Sequence, residues 1–335
     1  MPQRPPPVYP LRFKEIYKDK IWGGPELGRV LGKKGAGRRT GESWEISHRE
    51  QAVSMAVNGP YKGWTLDRLL ENYRKEILGD EHAMRFTRYP LLVKFLACHE
   101  RLSLQVHPTD EFAQRYETDG TGKTEAWYIL SAPKESRVIR GVLPGTTIAE
   151  FKQHLQAGTI EQCLNVMDVK PGDIIFIPPG TIHSAYGGVV LLEVQQNSDT
   201  TYRLTDWGRM DFNKKPRRLD LERAMNITDF TSMGVSKYKA SRIPGFPYRR
   251  KLLIKCEKFT MDSIELGRQR ITEKGAAARS VVHTVISGRG KYLFGEKKKS
   301  SQPFKKGETY LIPAKIGEYD IVSLGATEIV VSYVE

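Results

Sequence analysis

Short hydrophobic runs separated by turn-forming residues recur along most of this 335-residue chain. The runs are rich in Val, Ile, Tyr and Phe and are bounded by Gly, Pro, Asn or Asp, a pattern typical of β-strands. They lie at residues 91–96, 101–106, 125–130, 174–177, 189–194, 281–286, 309–312 and 328–334. Many short strands of this kind favour β-barrels or double-sheet jelly rolls over a parallel α/β sheet.

Two stretches show helical spacing instead. Thr65 precedes apolar residues at helical intervals, which predicts a helical segment at about residues 64–85. Thr147, with Glu150 three residues later, predicts a capping box, and Gly158 predicts where that helix ends. The chain is therefore expected to be mainly β with a small helical insertion.

An internal repetition divides the β segments into two groups. The stretch VKPGDIIFIPPGTIH at 169–183 resembles FKKGETYLIPAKIGE at 304–318, and in both a Gly is followed by five residues and then Pro. The preceding stretches EAWYILS and VHTVISG also resemble each other. The repetition predicts two β units, residues 1–240 with the helical segment and residues 241–335, with a boundary near residues 235–245.

The two copies differ in their polar residues. The second copy has Glu318 where the first has His183, and a residue near Val281 where the first has Glu125. We therefore expect the first unit to carry the chemistry and the second to be a degenerate scaffold.

Composition excludes several function classes. The net charge is +14, but basic residues are spread along the chain, and the run at 297–299 lacks the interleaved aromatics of a nucleic-acid surface. No apolar stretch is long enough for a membrane span, and the chain has no GxGxxG or GxxxxGK[ST] motif for a nucleotide. Three widely spaced cysteines and the lack of an apolar signal segment predict a cytoplasmic protein.

Four side chains suit a divalent metal ion. Gln105 and His107 are two residues apart on a predicted strand and therefore point to one face, Glu125 begins another strand, and His183 follows a Pro-Pro-Gly turn. Two imidazoles, a carboxylate and an amide oxygen are ligands for zinc, or else manganese, iron or cobalt. Taken singly, His107 could be a core histidine and Glu125 a salt-bridged residue. The turn before His183 is harder to explain without a function, because proline and glycine restrict it so closely.

The pattern G-x5-P-x-G-x2-H at residues 172–183 resembles the second cupin motif. The first cupin motif is altered, since it contains Gln105-Val106-His107 and its Glu follows 18 residues after His107. In this departure the chain resembles the type I mannose-6-phosphate isomerases in their short bacterial form. Further motifs in the family's order are KIWGG at 20–24, GESWE at 41–45, SLQVHP at 103–108, KTE at 123–125 and NSDTTYR at 197–203.

The resemblance implies two cupin-type jelly-roll β-barrels and a zinc-dependent aldose–ketose isomerase. Such an enzyme interconverts mannose 6-phosphate and fructose 6-phosphate through a cis-enediol. The implied ligands of one Zn²⁺ per chain are Gln105, His107, Glu125 and His183. The implied substrate contacts are Ser103, Lys123 and Arg203, with Arg203 and Lys123 in the active site. We expect a monomer or homodimer that acts on a small sugar phosphate, without nucleic acid or membrane as partner.

Several alternatives stay open. The proton-transferring base is Asp199, Lys123 or a metal-bound water, in that order, and Asp199 shares a face with Arg203 if residues 199–203 are extended. The stretch 206–209 departs from the family's usual pattern, which leaves the phosphate contacts open. A non-catalytic sugar-phosphate-binding cupin and a metal-dependent cupin oxygenase are the competing functions, although Lys123 and Arg203 favour a phosphorylated sugar.

Overall fold

The computed structural model describes residues 6–231 and 237–335, which form a mainly β protein, as the short apolar runs predict. The described residues contain six α-helices, α1–α6 in chain order, at Glu26–Leu31, Leu66–Leu78, Asp80–Arg85, Asp110–Tyr116, Ile148–Ala157 and Leu221–Ile227. They also contain short 3₁₀ helices at Ile160–Cys163 and Glu296–Lys298.

The same residues form 24 strands, numbered β1–β24 in chain order. In the first half these are Leu11–Arg12, Ile16–Asp19, Thr40–Ile46, His48–Arg49, Ala52–Val53, Leu91–Cys98, Leu104–Val106, Glu125–Ser131, Arg137–Val142, Leu164–Asp168, Ile174–Ile177, His183–Tyr186, Val189–Gln196 and Tyr202–Thr205. They continue with Ser241–Ile243, Arg249–Lys255, Thr260–Leu266, Arg270–Lys274, Val281–Ser287, Arg289–Phe294, Ser300–Lys305, Thr309–Ile312, Glu318–Ser323 and Thr327–Tyr333.

Two antiparallel sheets face each other in the first half of the chain, and we call this pair the N-terminal sandwich. Its large sheet has the order β11-β8-β13-β6-β3-β2 and its small sheet the order β10-β9-β12-β7-β14. Apolar side chains from both sheets meet between them, such as Trp127 and Leu191 from the large sheet and Val138 and Ala185 from the small one. A small two-stranded sheet, β4-β5, lies outside the pair.

A second pair of sheets forms the C-terminal sandwich. Its large sheet has the order β1-β22-β19-β24-β17-β16-β15, and its small sheet the order β18-β23-β20-β21. Strand β1 comes from the start of the chain, where Leu11 pairs with Leu311. No sheet closes into a ring within the described ranges, so each unit is an open double-sheet jelly roll.

The two large sheets pack back to back. Their shared core contains Val93 and Leu192 from the N-terminal sandwich, Met261 and Val330 from the C-terminal sandwich, and the apolar face of α2. Since successive strand residues point to opposite faces, Leu192 faces this core while its neighbour Leu191 faces the sandwich interior. Burial on both faces explains why these strands are apolar almost throughout.

The strand order confirms the internal repetition. Strands β11, β8, β13, β6, β3 and β2 correspond in sheet position to β22, β19, β24, β17, β16 and β15, and β10-β9-β12-β7 corresponds to β21-β20-β23-β18. The register also agrees, because Ile177 pairs with Glu125 as Ile312 pairs with Val281. The two units therefore share one topology and one strand register.

The structure confirms the predicted helices and shortens one of the predicted strands. The helical segment at 64–85 is α2 and α3, and the capping box at Thr147 and Glu150 begins α5, which ends before Gly158. The run predicted at 101–106 is a strand only from Leu104 to Val106. The boundary predicted near 235–245 lies partly outside the described residues, and the division at residue 240 stays a prediction.

Candidate metal centre

The four proposed ligands come from neighbouring strands at one end of the N-terminal sandwich. Gln105 lies on β7, His107 follows the end of that strand, Glu125 opens β8 and His183 opens β12. Gln105 pairs directly with His183 across the small sheet. Glu125 comes from the facing large sheet. The sandwich therefore brings together side chains that are up to 78 residues apart.

The Pro-Pro-Gly turn fixes where β12 begins. Gly180 has a φ of +81°, and a Cβ at this position would lie 2.8 Å from the carbonyl oxygen of Ile227. The Gly180 N–H donates a hydrogen bond of 2.9 Å to the carbonyl of His107. The turn is thus tied directly to a second proposed ligand, which explains why its backbone is so restricted.

His107, Glu125 and His183 form a compact, buried cluster. One ligand atom from each lies within 4.8 Å of the others. The Glu125 oxygens face both rings, since His107 Nε2 is 3.5 Å from Oε2 and His183 Nε2 is 3.3 Å from Oε1. All three side chains have an exposed fraction of 1% or less. The cluster therefore holds three potential metal donors out of water.

The outer nitrogen of each imidazole is already used. His107 Nδ1 donates to the carbonyl of Thr200 and His183 Nδ1 to the carbonyl of Thr181, both at 2.9 Å. This fixes the tautomer in which Nε2 carries the lone pair, as metal-binding histidines require. Both Glu125 oxygens are buried, and although Oε2 forms an ion pair with Lys123, Oε1 has no hydrogen-bond donor among the described residues. A cation between the three side chains would satisfy them.

The electrostatic environment holds the same three groups in the protonation states that bind metals. Burial, reinforced by the charge of Lys123, lowers the pKa of His107 to about 3, and burial also lowers the pKa of His183. Burial acts to raise the pKa of Glu125, but Lys123 and His107 outweigh it and hold that pKa well below its usual range. At neutral pH the site therefore offers two neutral imidazoles and one carboxylate, the forms that bind metals.

Gln105 is the fourth proposed ligand, and its amide group lies beside the cluster. Its Nε2 is 3.1 Å from His183 Nε2, while its Oε1 accepts a hydrogen bond of 3.1 Å from Ser103 Oγ. Metal binding through the amide oxygen requires the opposite orientation of this amide. In the orientation present here, the hydrogen bond from Ser103 holds the amide oxygen on the side away from His183.

Lys123 touches the cluster directly. Its Nζ lies 2.9 Å from Glu125 Oε2 and 3.0 Å from His107 Nε2. Lys123 and Glu125 therefore project to one side, although β8 begins only at Glu125. Arg203, on β14, pairs in register with Gln105, so the two side chains stand next to each other on the small sheet.

Asp199 is placed differently. Residues 197–201 do not belong to a strand, so the alternation that was expected to put Asp199 and Arg203 on one face does not apply. Asp199 is exposed and lines a cleft of about 1000 Å³, whose wall also contains Lys20 and Trp44. It is therefore near the centre but not part of the buried cluster.

Sequence reasoning missed an ion-pair network behind the ligands. Lys94 Nζ lies 2.8 Å from Glu193 Oε1, and Trp127 Nε1 donates to Glu193 Oε2 at 2.8 Å. The Trp127 ring stands edge-on to the His183 ring, with 5.5 Å between centroids. A charged residue inside each of the apolar runs LLVKFLAC and VVLLEVQQ was the signal that could have found this network.

Comparisons with known proteins agree with this geometry. Residues 11–157 match the model of the catalytic domain of type I phosphomannose isomerase. The mannose-6-phosphate isomerase ManA of Bacillus subtilis is 34% identical over 97% of this chain and 98% of its own length. The mannose-6-phosphate isomerase of Streptococcus mutans is 38% identical over 65% of this chain and 67% of its own length.

Solved structures show the same likeness along the whole chain. The crystal structure of the mannose 6-phosphate isomerase from Bacillus subtilis superposes with a TM-score of 0.86 at 32% identity and covers 96% of this chain and 99% of that one. A putative mannosephosphate isomerase from Archaeoglobus fulgidus reaches a TM-score of 0.79 at 20% identity, with 98% of this chain and 99% of the other covered. The second comparison supports the fold alone.

Proposed function

Because this chain belongs to the type I phosphomannose isomerase family, we propose that it is a zinc-dependent aldose–ketose isomerase. It interconverts mannose 6-phosphate and fructose 6-phosphate through a cis-enediol. The observation that carries this proposal is the buried cluster of His107, Glu125 and His183 with the Lys123 ammonium in contact. A simple structural ion pair would not need two imidazoles held in the metal-binding tautomer.

The ligand set fits a divalent first-row metal. His107, Glu125 and His183 would hold the ion, and Gln105 would join them through its amide oxygen. When bound, zinc supplies Lewis-acid stabilisation of the oxygen charge that develops on the opened sugar. Two imidazoles and a carboxylate form a usual catalytic zinc set, and since the same set also binds iron(II), metal analysis of the purified protein tests zinc against iron.

Isomerisation moves a proton between C1 and C2 of the sugar, and a side chain must carry it. Lys123 is the better placed candidate, since its Nζ touches the cluster, whereas Asp199 is exposed on the cleft wall. We therefore place Lys123 ahead of Asp199 and of a metal-bound water. Arg203, beside Gln105, supplies a fixed positive charge for the oxygen or phosphate of the substrate.

The ion pairs behind the cluster hold its geometry. Glu193 accepts from Trp127 and pairs with Lys94, while Lys94 lies close to Glu42 and feels its charge. Burial and the nearby Glu125 raise the pKa of Glu193, and Lys94 opposes this rise. The network keeps the Trp127 ring against His183 without placing another ligand at the metal.

A coupled isomerase assay tests the proposal. Metal-loaded protein converts mannose 6-phosphate, chelation abolishes the conversion, and Zn²⁺ restores it, while His183→Ala stays inactive throughout. The C2 proton of the substrate exchanges with solvent during turnover. Unchanged activity after complete metal removal would overturn the zinc proposal. Tight substrate binding without turnover would identify a binding protein, and oxygen consumption would identify an oxygenase.

The remaining expectations concern the cell. Among the described residues, no helix combines the length and apolar character that a membrane span requires. We propose a cytoplasmic location on the basis of three free cysteines, Cys98, Cys163 and Cys256. A small sugar phosphate is the proposed partner, with one Zn²⁺ per chain, and the assembly is a monomer or a homodimer.

A further inference from the structure

Two arginines contact one buried carboxylate in the loop that follows β14, and a third arginine lies close to them. Asp206 follows the end of β14, and its Oδ1 lies 2.7 Å from Arg209 Nη2, while its Oδ2 lies 3.4 Å from Arg217 Nε. Arg203, at the second position of β14, completes the group, because its charge acts on Arg217. We call Arg203, Asp206, Arg209 and Arg217 the arginine cluster.

The loop after β14 folds back on itself and forms this cluster. After β14, residues 206–220 form a loop whose two sides meet at the bridge between Met210 and Pro216. The Asp220 N–H then donates to the carbonyl of Arg203 at 2.9 Å. Arg217 is thereby brought back beside the strand that carries Arg203, although 14 positions separate them in the sequence.

The three guanidinium groups are not equally engaged. Arg209 is fully committed, since it binds the Asp206 carboxylate and donates to the carbonyls of Asp206 and Arg101. Arg203 Nε, in contrast, is buried and has no hydrogen-bond acceptor among the described residues. Arg217 shares Asp206 at 3.4 Å and donates one long hydrogen bond, 3.4 Å from Nη2 to Ser103 Oγ.

The charge balance of the cluster favours an anion. Arg203, Arg209 and Arg217 lie close to two carboxylates, Asp206 and Asp211, so this half-buried place carries an excess of one positive charge. Burial lowers the pKa of Arg217, and the neighbouring charges of Arg203 and Arg209 add to the effect while Asp206 opposes it. A bound oxyanion would relieve this repulsion and fill the open donors of Arg203 and Arg217.

Contacts link the cluster to the metal ligands. Arg217 donates to Ser103, Ser103 donates to Gln105, and the Gln105 amide lies 3.1 Å from His183. Arg203 stands beside Gln105 in register. An oxyanion held by the two arginines therefore lies one side chain away from the metal centre, within the reach of a single small substrate.

We propose that Arg217, together with Arg203 and Ser103, binds the phosphate group of the sugar substrate and sets the preference for phosphorylated over free sugars. The inference rests on the proposed isomerase function, because a hexose phosphate carries its reacting carbons and its dianion at opposite ends. One end needs the metal ligands and the other needs a separate anion site. Arg217 supplies the second guanidinium for a bidentate phosphate contact.

The neighbouring arginine offers a matched control. The Arg217 side chain is 18% exposed and faces the cluster, whereas the Arg218 side chain is 80% exposed and pairs with Asp220 outside it. Arg217→Gln and Arg218→Gln therefore make the same change of charge on adjacent residues. Only the first removes a donor from the proposed phosphate site.

Steady-state kinetics test the assignment. Arg217→Gln raises the KM for mannose 6-phosphate about tenfold or more, because a charge-assisted hydrogen bond to phosphate is lost. It weakens competitive inhibition by inorganic phosphate by a similar factor, while the zinc content stays at one per chain. Arg217→Lys recovers part of the affinity, and Arg218→Gln behaves like the unmodified protein. An unchanged KM and phosphate inhibition constant in Arg217→Gln would overturn the proposal.

Calorimetric titration of the zinc-loaded protein with inorganic phosphate separates this proposal from the isomerase function. Phosphate binding that weakens in Arg217→Gln but not in Arg218→Gln supports the anion site even if no sugar phosphate turns over. In that case the isomerase function would be wrong and the site correct. Normal isomerase activity with phosphate binding equal in both variants would show the reverse. Circular dichroism and thermal unfolding confirm that Arg217→Gln is folded.

Discussion

The two sandwiches share one strand order, yet among the described residues only the first assembles a group of His and Glu side chains that could hold a metal ion. Their registers make the positions comparable one by one. Glu125 and Val281 open corresponding strands of the two large sheets, β8 and β19, and His183 and Glu318 open corresponding strands of the two small sheets, β12 and β23. Gln105, opposite His183, corresponds to Lys274, opposite Glu318.

The difference reaches deeper than the ligands. The buried pair behind the metal centre has Lys94 on β6 with Glu42 near it on β3. At the corresponding place in the C-terminal sandwich, Asp262 on β17 pairs at 3.0 Å with Arg250 on β16. The signs of charge are exchanged. The scaffold therefore holds buried charges of opposite sign at this place with either order of the two charges.

Aromatic side chains and one histidine line much of the interior of the C-terminal sandwich, around a small cavity of about 120 Å³. His283, at the position that corresponds to Trp127, is 1% exposed and lies 3.3 Å and 3.4 Å from the hydroxyl groups of Tyr292 and Tyr319. Tyr310 packs against the Tyr292 ring. Aromatic side chains thus surround His283, at the position where the first copy has Trp127.

We expect the largest difference between the two sandwiches when an acidic residue at the ligand end of each is substituted. Glu125→Gln removes the only carboxylate of the cluster, so we expect zinc content to fall from one per chain to near zero. Isomerase activity should then fall on the order of a hundredfold or more, since electrostatic stabilisation is lost. Glu318→Gln, at the corresponding end of the C-terminal sandwich, should change neither zinc content nor activity.

Elemental analysis and the coupled assay decide between the two outcomes. If Glu318→Gln also loses zinc, the C-terminal sandwich takes part in metal binding and the contrast between the copies is wrong. If Glu125→Gln retains one zinc and full activity, the ligand assignment is wrong.

The exchanged ion pairs give the next largest effect. Lys94→Met leaves Glu42 and Glu193 as buried carboxylates without their shared cation, so it should lower the free energy of unfolding by about 3–5 kcal/mol. Asp262→Asn should cost less, about 1–2 kcal/mol, because Arg250 keeps its second partner, Glu273. Urea unfolding measures both. Equal losses of unfolding free energy in the two variants would show that the buried charges contribute equally to the stability of both sandwiches.

Acid sensitivity sharpens the contrast further. Burial, then the charge of Arg250, lowers the pKa of His283 to about 3, so the folded protein binds fewer protons than the unfolded chain between pH 3 and 6.5. Stability therefore falls as the pH drops through this window, by about 1.4 kcal/mol per pH unit for one histidine. His283→Phe should reduce the slope of unfolding free energy against pH by that amount.

The histidines of the first copy behave differently in the same experiment. His107 has a pKa lowered to about 3 in the metal-free protein, and zinc should hold it and His183 neutral while favouring the folded state. Added zinc should therefore raise stability at pH 7 and lose this effect in acid. His283→Phe should leave the zinc effect intact, and loss of the effect would contradict the separation of the two sites.

The sequence could predict the scaffold because its signals are local. Strand runs bounded by Gly and Pro, the capping box at Thr147 and the Gly180 turn each depend on a few adjacent residues. Lys94 and Glu193 were missed because their meaning depends on strand pairing. Arg217 was missed for a related reason, since only the returning loop brings it to Arg203.

The helices and Asp199 show the same limit. Helix α4 is a short segment between β7 and β8, and its apolar residues are too few to produce a clear period. The expectation for Asp199 assumed an extended backbone from 199 to 203, but the strand begins only at Tyr202. Where the conformation of a loop decides the direction of a side chain, residue spacing alone could not place it.

The turn glycines provide the finest test of the comparison. Gly172 and Gly307 precede corresponding strands with φ angles of +89° and +83°, so alanine is strained at both. A Cβ at Gly172 would meet nothing within 4 Å, whereas one at Gly307 would lie 2.5 Å from the carbonyl oxygen of Leu31 at the end of α1. Gly172→Ala should cost about 1 kcal/mol.

Gly307→Ala should cost more than Gly172→Ala, because the clash is with backbone that cannot move without shifting α1. Neither substitution should change zinc content, since both residues lie before the strand and away from the ligands. Urea unfolding of the two variants measures the difference. A larger loss in Gly172→Ala would show that the turn of the first copy is under more constraint than its open surroundings imply. The close restriction of this turn would then be a property of the N-terminal sandwich alone and not of both sandwiches.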